Sequence, residues 1–118
     1  MSDYLSLNEI QNQISIWSRK NFDTQVSKVC PNLVLDSLAP LLGIVEEVGE
    51  LCHATLKHHQ GIRGYDNLEY YRNQRDDAVG DIMVYLCDYA SREGIDLQQV
   101  LNDVWKHEVS KRDWTNGK

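Results

Sequence analysis

"LLGIVEEVGELC", Leu41 to Cys52, sets Glu46, Glu47 and Glu50 among apolar residues. At about 100° per residue, Leu41, Ile44, Val45, Val48, Leu51 and Cys52 share one broad face, and the glutamates point the other way. That is the period of an amphipathic helix, not of a strand. Gly43 and Ala54 lie between and beside the acids, small enough to let another backbone approach there.

Working outward, this helix begins near Ser37 or Leu38 with Pro40 in its first turn. It stops before Gly61, a span of about 38–59. "GIRGYDN" (61–67) is a turn-rich loop, and a further helix runs from Leu68 to Arg92, stopping at Gly94. Upstream, Ser6 and Glu9 form a capping box before Leu7, Ile10, Ile14 and Trp17, which predicts a helix over about 7–20. The polar segment 21–36, holding Pro31, reads as a long connection. Asp96 with Gln99 caps a last helix over 97–113, whose basic second half, Lys106, Lys111 and Arg112, suits the helix dipole. The tail "TNGK" is expected to fray. With no hairpin signature, the expectation is an all-α, four-helix-bundle-like single domain over residues 1–118.

The chain has 118 residues, 42% hydrophobic, and a formal net charge of −6, so a real core is affordable and a basic nucleic-acid or membrane-surface patch is not expected. No run approaches the roughly 18 apolar residues of a membrane helix, and "MSDYLSLNEI" has no signal-peptide pattern. Three cysteines without a CxxC suit a reducing cytoplasm, with Cys52 and Cys87 read as small core residues.

Asp77, Asp81 and Asp88 form an acidic stripe on the third helix, opposite Val79, Ile82, Met83, Leu86 and Ala90. "DIMVYLCDYA" (81–90) is nevertheless apolar nearly all round, which places Asp81 and Asp88 at a packed interface or a pocket. Two carboxylates about 5 Å apart repel by roughly 3 kcal/mol at an effective dielectric of about 20, and by less than about 1 kcal/mol in water. Facing solvent, the acidic stripes need no explanation. Facing each other, they need a cation or a proton, and oxygen-only donors on rigid helices suit Mg²⁺ or Mn²⁺.

"EEVGEL" followed by "DAVGDIMVYL" resembles the MazG-like all-α nucleoside triphosphate pyrophosphatases, over roughly residues 37–114. Glu46, Glu47 and Glu50 match the family's EExxE, and Asp81 matches the last acid of its ExxD. The family's second-motif Glu falls on Ala78, and Asp77, on the Asp81 face, stands in for it. The resemblance implies Mg²⁺-dependent cleavage of a nucleoside triphosphate to a monophosphate and pyrophosphate. It implies Glu47, Glu50, Asp77 and Asp81 as metal ligands, and Glu46 or Glu47 as the group that orients or deprotonates an attacking water activated by a bound ion. Tyr85, one turn after Asp81, matches a base-pocket aromatic, with Trp17 a second candidate. Lys111 and Arg112 resemble phosphate contacts, and a homodimer or homotetramer is expected.

Lys57, Arg63, Arg75 and Lys106 are further candidate phosphate contacts, though each alone reads as a surface charge. Trp105 and Trp114 read as packing or subunit contacts, and Tyr65, Tyr70 and Tyr71 as neighbours of the loop. Three alternatives stand beside the pyrophosphatase: a phosphoribosyl-ATP pyrophosphatase, a non-catalytic helical interaction module, and a di-iron oxidoreductase. Glu50-x-x-His53 has di-iron spacing, but the matching position on the next helix is Val84.

Overall fold

The computed structural model describes residues 3–115, and over them the chain is an all-α helical bundle. Its helices are α1 (Leu7–Phe22), α2 (Leu38–Gln60), α3 (Leu68–Arg92) and α4 (Leu97–His107), followed by a 3-10 turn, Val109–Lys111. Each start has a local cause. Ser6 Oγ accepts from Glu9 N (3.1 Å) while Glu9 Oε1 accepts from Ser6 N (3.2 Å), closing the capping box. Asn67 and Asp96 side chains accept from Tyr70 N and Gln99 N to open α3 and α4. Gly61, at φ 67°, takes the left-handed position that ends α2.

Between α1 and α2 the chain folds into a tight loop. An isolated antiparallel bridge pairs Val26 with Val34, and no longer strand occurs among the described residues. The expected frayed tail falls on Thr115, which is hydrogen-bonded to Asp113, and on 116–118, which lie outside the described residues.

Two expectations are corrected. The fourth helix does not reach 113: it ends at His107. The Ser110 hydroxyl donates to Lys106 O (3.2 Å), the carbonyl that a continuing α-helix would bond through the Ser110 amide. The following bonds, Lys111 N to Glu108 O and Arg112 N to Val109 O, are 3-10 in type. Lys111 and Arg112 therefore lie beyond α4. Cys52 is not in the core; it is exposed, whereas Cys87 is buried and its thiol is pushed up by that burial.

The α2–α3 pair is the main contact, with α1 laid on α3 and α4 resting chiefly on α1. The pair is antiparallel and pinned at both ends. Ser37 Oγ donates to Glu93 Oε2 (2.6 Å) at one end, and the His58 ring stacks on Tyr71 at 4.0 Å between centroids at the other. His58 also bonds the Tyr65 carbonyl, and Tyr65 is buried against His53 and Tyr70. The loop tyrosines and histidines are thus a packed aromatic plug. Gln11 staples α4 to α1, donating to Ile95 O (2.7 Å) and accepting from Leu97 N (3.0 Å).

The side of α2 that meets α3 is not the broad apolar one. Its buried residues are Pro40, Gly43 and Ala54, while Leu41, Val45, Val48 and Cys52 face outward, Val45 at 66% exposure. The buried hydrophobic residues are small apart from Tyr65: Ala54, Ala78, Cys87 and Ala90. Val100, Leu101, Val104 and Trp105 of α4 are exposed as well, as is Trp114.

Candidate functional site

Small residues on α2 let α3 come close, and the register of the pair does the rest. Gly43 lies against the Tyr85 ring: a Cβ built there would meet Tyr85 Cε1 at 2.5 Å. One turn along, Glu47 lies near Asp81, whose charge acts on it. The same register carries Glu50 toward Ala78, which is buried. What approaches Gly43 is an aromatic ring and not a backbone.

These contacts floor a cavity of about 370 Å³. Trp17, Phe22 and Gln25 close it from α1 and the following loop, Ala39, Pro40 and Glu47 from α2, and Asp81, Val84, Tyr85 and Asp88 from α3. Trp17 and Phe22 meet edge to face, 5.8 Å between centroids, so the Trp17 ring, half exposed, is held at the mouth by a neighbour. Along α3, Asp81, Tyr85 and Asp88 follow one another over about 10 Å, so acid, aromatic and acid succeed each other along the cavity.

The carboxylates are unequal. Burial first, then the charges of Asp81, Glu46 and Glu50, push the Glu47 carboxyl above its ordinary value of 4.5. Burial, then Glu46, Glu47, Asp81 and Asp88, push the Tyr85 hydroxyl up, so it stays protonated. Among the described residues, no Lys or Arg lines the cavity to offset these charges. Asp88 differs. It is buried, and Oδ1 accepts from Arg92 Nε (2.9 Å) while Oδ2 accepts from Ser18 Oγ (2.8 Å). Arg92 Nη2 donates to Ser18 Oγ (2.6 Å), and Nη1 donates to Asp36 and to the Asp23 carbonyl. This network ties α1, the loop and α3 together behind the cavity.

Of the residues the sequence singles out, the cavity brings together Trp17, Tyr85, Glu47 and Asp81. Glu46 and Glu50 are exposed beside it, acting on Glu47 by charge alone. Asp77 is exposed, a turn from Asp81 and outside the lining. Lys57 donates to Gln60 (3.1 Å), about 15 Å along α2 from Glu47. Lys111 and Arg112 are exposed beyond α4 and do not line the cavity. His53 packs on Tyr65 at 5.6 Å, which leaves the di-iron spacing in an aromatic contact.

Among the described residues, no three His, Cys, Asp or Glu side chains gather into a ready ligand set. Glu47 and Asp81 nevertheless fit Mg²⁺, which is typically held by one or two carboxylates and completed by water and substrate phosphates. Sequence reasoning missed Phe22, Gln25, Pro40 and the Ser18–Arg92 pair. Only Asp88-x-x-x-Arg92 had a local signal, an i, i+4 ion pair.

Two consequences are testable. Gly43→Ala drives a methyl into the Tyr85 ring and should lower stability by about 1–3 kcal/mol, read by thermal melting, and shift the tyrosine near-UV signal. Glu47→Gln should raise the Tm in chelator at neutral pH. A folded carboxyl whose pKa is raised destabilises once ionised, so the gain is full above the raised value and vanishes below 4.5. Melts from pH 3 to 8 would contradict this if the gap were constant.

No family model, curated protein or solved structure matches the chain.

Proposed function

We propose that the chain is a MazG-like, Mg²⁺-dependent nucleoside triphosphate pyrophosphohydrolase, serving to cleanse or control a nucleotide pool. The observation that carries this is that one cavity brings Trp17 and Tyr85 together with Glu47 and Asp81. A flat ring fits the aromatic middle, and a polyphosphate reaches the acidic end once the charges there are neutralised. Glu47 and Asp81 would hold Mg²⁺, with Glu50 in reserve, and the ion supplies charge neutralisation and an acidified water. Glu46 or Glu47 would orient or deprotonate the attacking water. Tyr85, held by Gly43, and Trp17 position the ring.

Self-association belongs to the same proposal. The accessible surface is 8830 Å², roughly 2,200 Å² more than the about 6,600 Å² usual for this mass. The radius of gyration is 17.8 Å, against about 13.5 Å for a compact domain of this length. The excess is what an obligate homodimer interface covers on each side. The outer face of α2 and the stripe on α4 supply it, and a partner copy is the source of phosphate-binding cations the cavity lacks. The expected state is a homodimer or homotetramer, and Val45→Glu should shift it toward monomer in sedimentation velocity. The free thiols of Cys30, Cys52 and Cys87 support a cytoplasmic setting. No helix of the described chain is long and apolar enough to cross a membrane.

The reaction is tested by hydrolysing a nucleoside triphosphate in ¹⁸O-water. Label in the monophosphate, with unlabelled pyrophosphate, means attack at the α-phosphorus; nucleoside diphosphate with inorganic phosphate would refute the assignment. Turnover of phosphoribosyl-ATP in preference to free nucleotides would identify the alternative pyrophosphatase. The exposed apolar faces favour a second reading, a non-catalytic helical interaction module, which predicts no metal binding at all.

A further inference from the structure

The far end of the cavity raises a question that hydrolysis leaves open. Asp88 is one of its lining residues, and its side chain is 9% exposed. A carboxylate has about four acceptor sites; Ser18 and Arg92 take one on each oxygen. The acceptors left over have no donor among the described residues. The Arg92 guanidinium is spent on Asp88, Ser18, Asp36 and the Asp23 carbonyl, and does not line the cavity. A ligand at this end therefore meets acceptor oxygen and no cationic donor.

Resting on the nucleotide reading above, we propose that Asp88 determines base specificity: its carboxylate, fixed by Ser18 and Arg92, accepts a hydrogen bond from the exocyclic amino group of an adenine- or cytosine-type base and repels a keto oxygen in the same place. The placement suits it, because Asp88 lies about 10 Å along α3 from Asp81, with Tyr85 between them as the ring platform. Gln25 completes the edge. It lines the same cavity, its side-chain amide has no hydrogen-bond partner among the described residues, and its backbone is held in the left-handed region at φ 58°. Leu35 N donates to its carbonyl (3.0 Å), and its own N–H donates to Phe22 O (2.8 Å). An amide and a carboxylate lining one cavity can together match a base edge that pairs an amino donor with a ring-nitrogen acceptor. A hydrogen bond to a charged acceptor discriminates by about tenfold or more, and the unpaired keto oxygen adds to the difference.

The test is calorimetric binding of three monophosphates that the enzyme does not hydrolyse: AMP, purine riboside monophosphate and IMP. At C6 they carry an amino group, a hydrogen or a keto oxygen, and in IMP the ring N1 also changes from an acceptor to an N–H donor. The expected order is AMP tightest, by about tenfold over purine riboside monophosphate, with IMP weakest. Asp88→Asn, which keeps the size and swaps an acceptor for a donor, should flatten or invert the series. If that variant does not fold, the wild-type order alone decides. IMP binding as tightly as AMP, a series unchanged in folded Asp88→Asn, or no binding of any of the three overturns the proposal. The reaction fails separately: a protein with the full series and no pyrophosphate release keeps its base slot and loses the hydrolase assignment.

Discussion

Asp81→Asn is expected to lower Mg²⁺-dependent pyrophosphate release by at least about a hundredfold while leaving the fold intact. Asp81 is exposed on one turn of α3, so the isosteric amide breaks no packing. What it removes is charge. Glu47 and Asp81 are the two carboxylates at one end of the cavity, and in the proposed function they are the pair that holds the divalent ion. With Asn at 81, Glu47 loses a neighbour that raises its proton affinity, so its titration moves back toward the ordinary range. The variant should thus bind metal weakly, melt no lower than the wild type in chelator, and show its activity limb at lower pH. A variant that retains activity within a few-fold would remove Asp81 from the site.

Arg92→Met should have the largest effect on stability. The Arg92 side chain is 1% exposed, and it joins α3 to α1 through Ser18 and to the loop through Asp36 and the Asp23 carbonyl. Methionine fills the space and leaves Asp88 a buried charge without its partner. Breaking a buried pair from one side costs about 3–5 kcal/mol, a fall in Tm on the order of 10–20 °C for a chain of this size. Arg92→Met combined with Asp88→Leu should recover part of the loss, since no unpaired charge remains. A single variant melting within a few degrees of the wild type would show that the network holds nothing together.

Helix starts were legible because their signals are local: Ser6 with Glu9 and Asp96 with Gln99 each act within one turn. The end of α4 was not, because the backbone leaves helical geometry at Glu108, at φ −126° and ψ −71°, and passes into a 3-10 turn, which periodicity does not reveal. Which face of α2 packs on α3 was not legible, because periodicity groups the apolar residues without saying what covers them; α3 meets the stripe that holds Pro40, Gly43 and Ala54. The apolar face then remains for another copy, as proposed above.

Within the site, the acids and Tyr85 were legible as a motif on two helices. Trp17 was reachable by its position on α1, but its rim contact with Phe22 depends on where α1 crosses α3. Gln25 had no signal, since only the fold of the loop brings it to the cavity. Lys57, Lys111 and Arg112 were chosen by charge and helix position, and none of them lines the cavity, so a role for them requires a neighbouring copy or a bound substrate that reaches outward.

The most direct measurement is pyrophosphate release from a panel of ribo- and deoxyribonucleoside triphosphates, with Mg²⁺ and with chelator. Release that requires Mg²⁺, and that disappears in folded Asp81→Asn, is the predicted result. Folded protein that releases no pyrophosphate from any nucleotide, with or without the ion, would contradict the central claim.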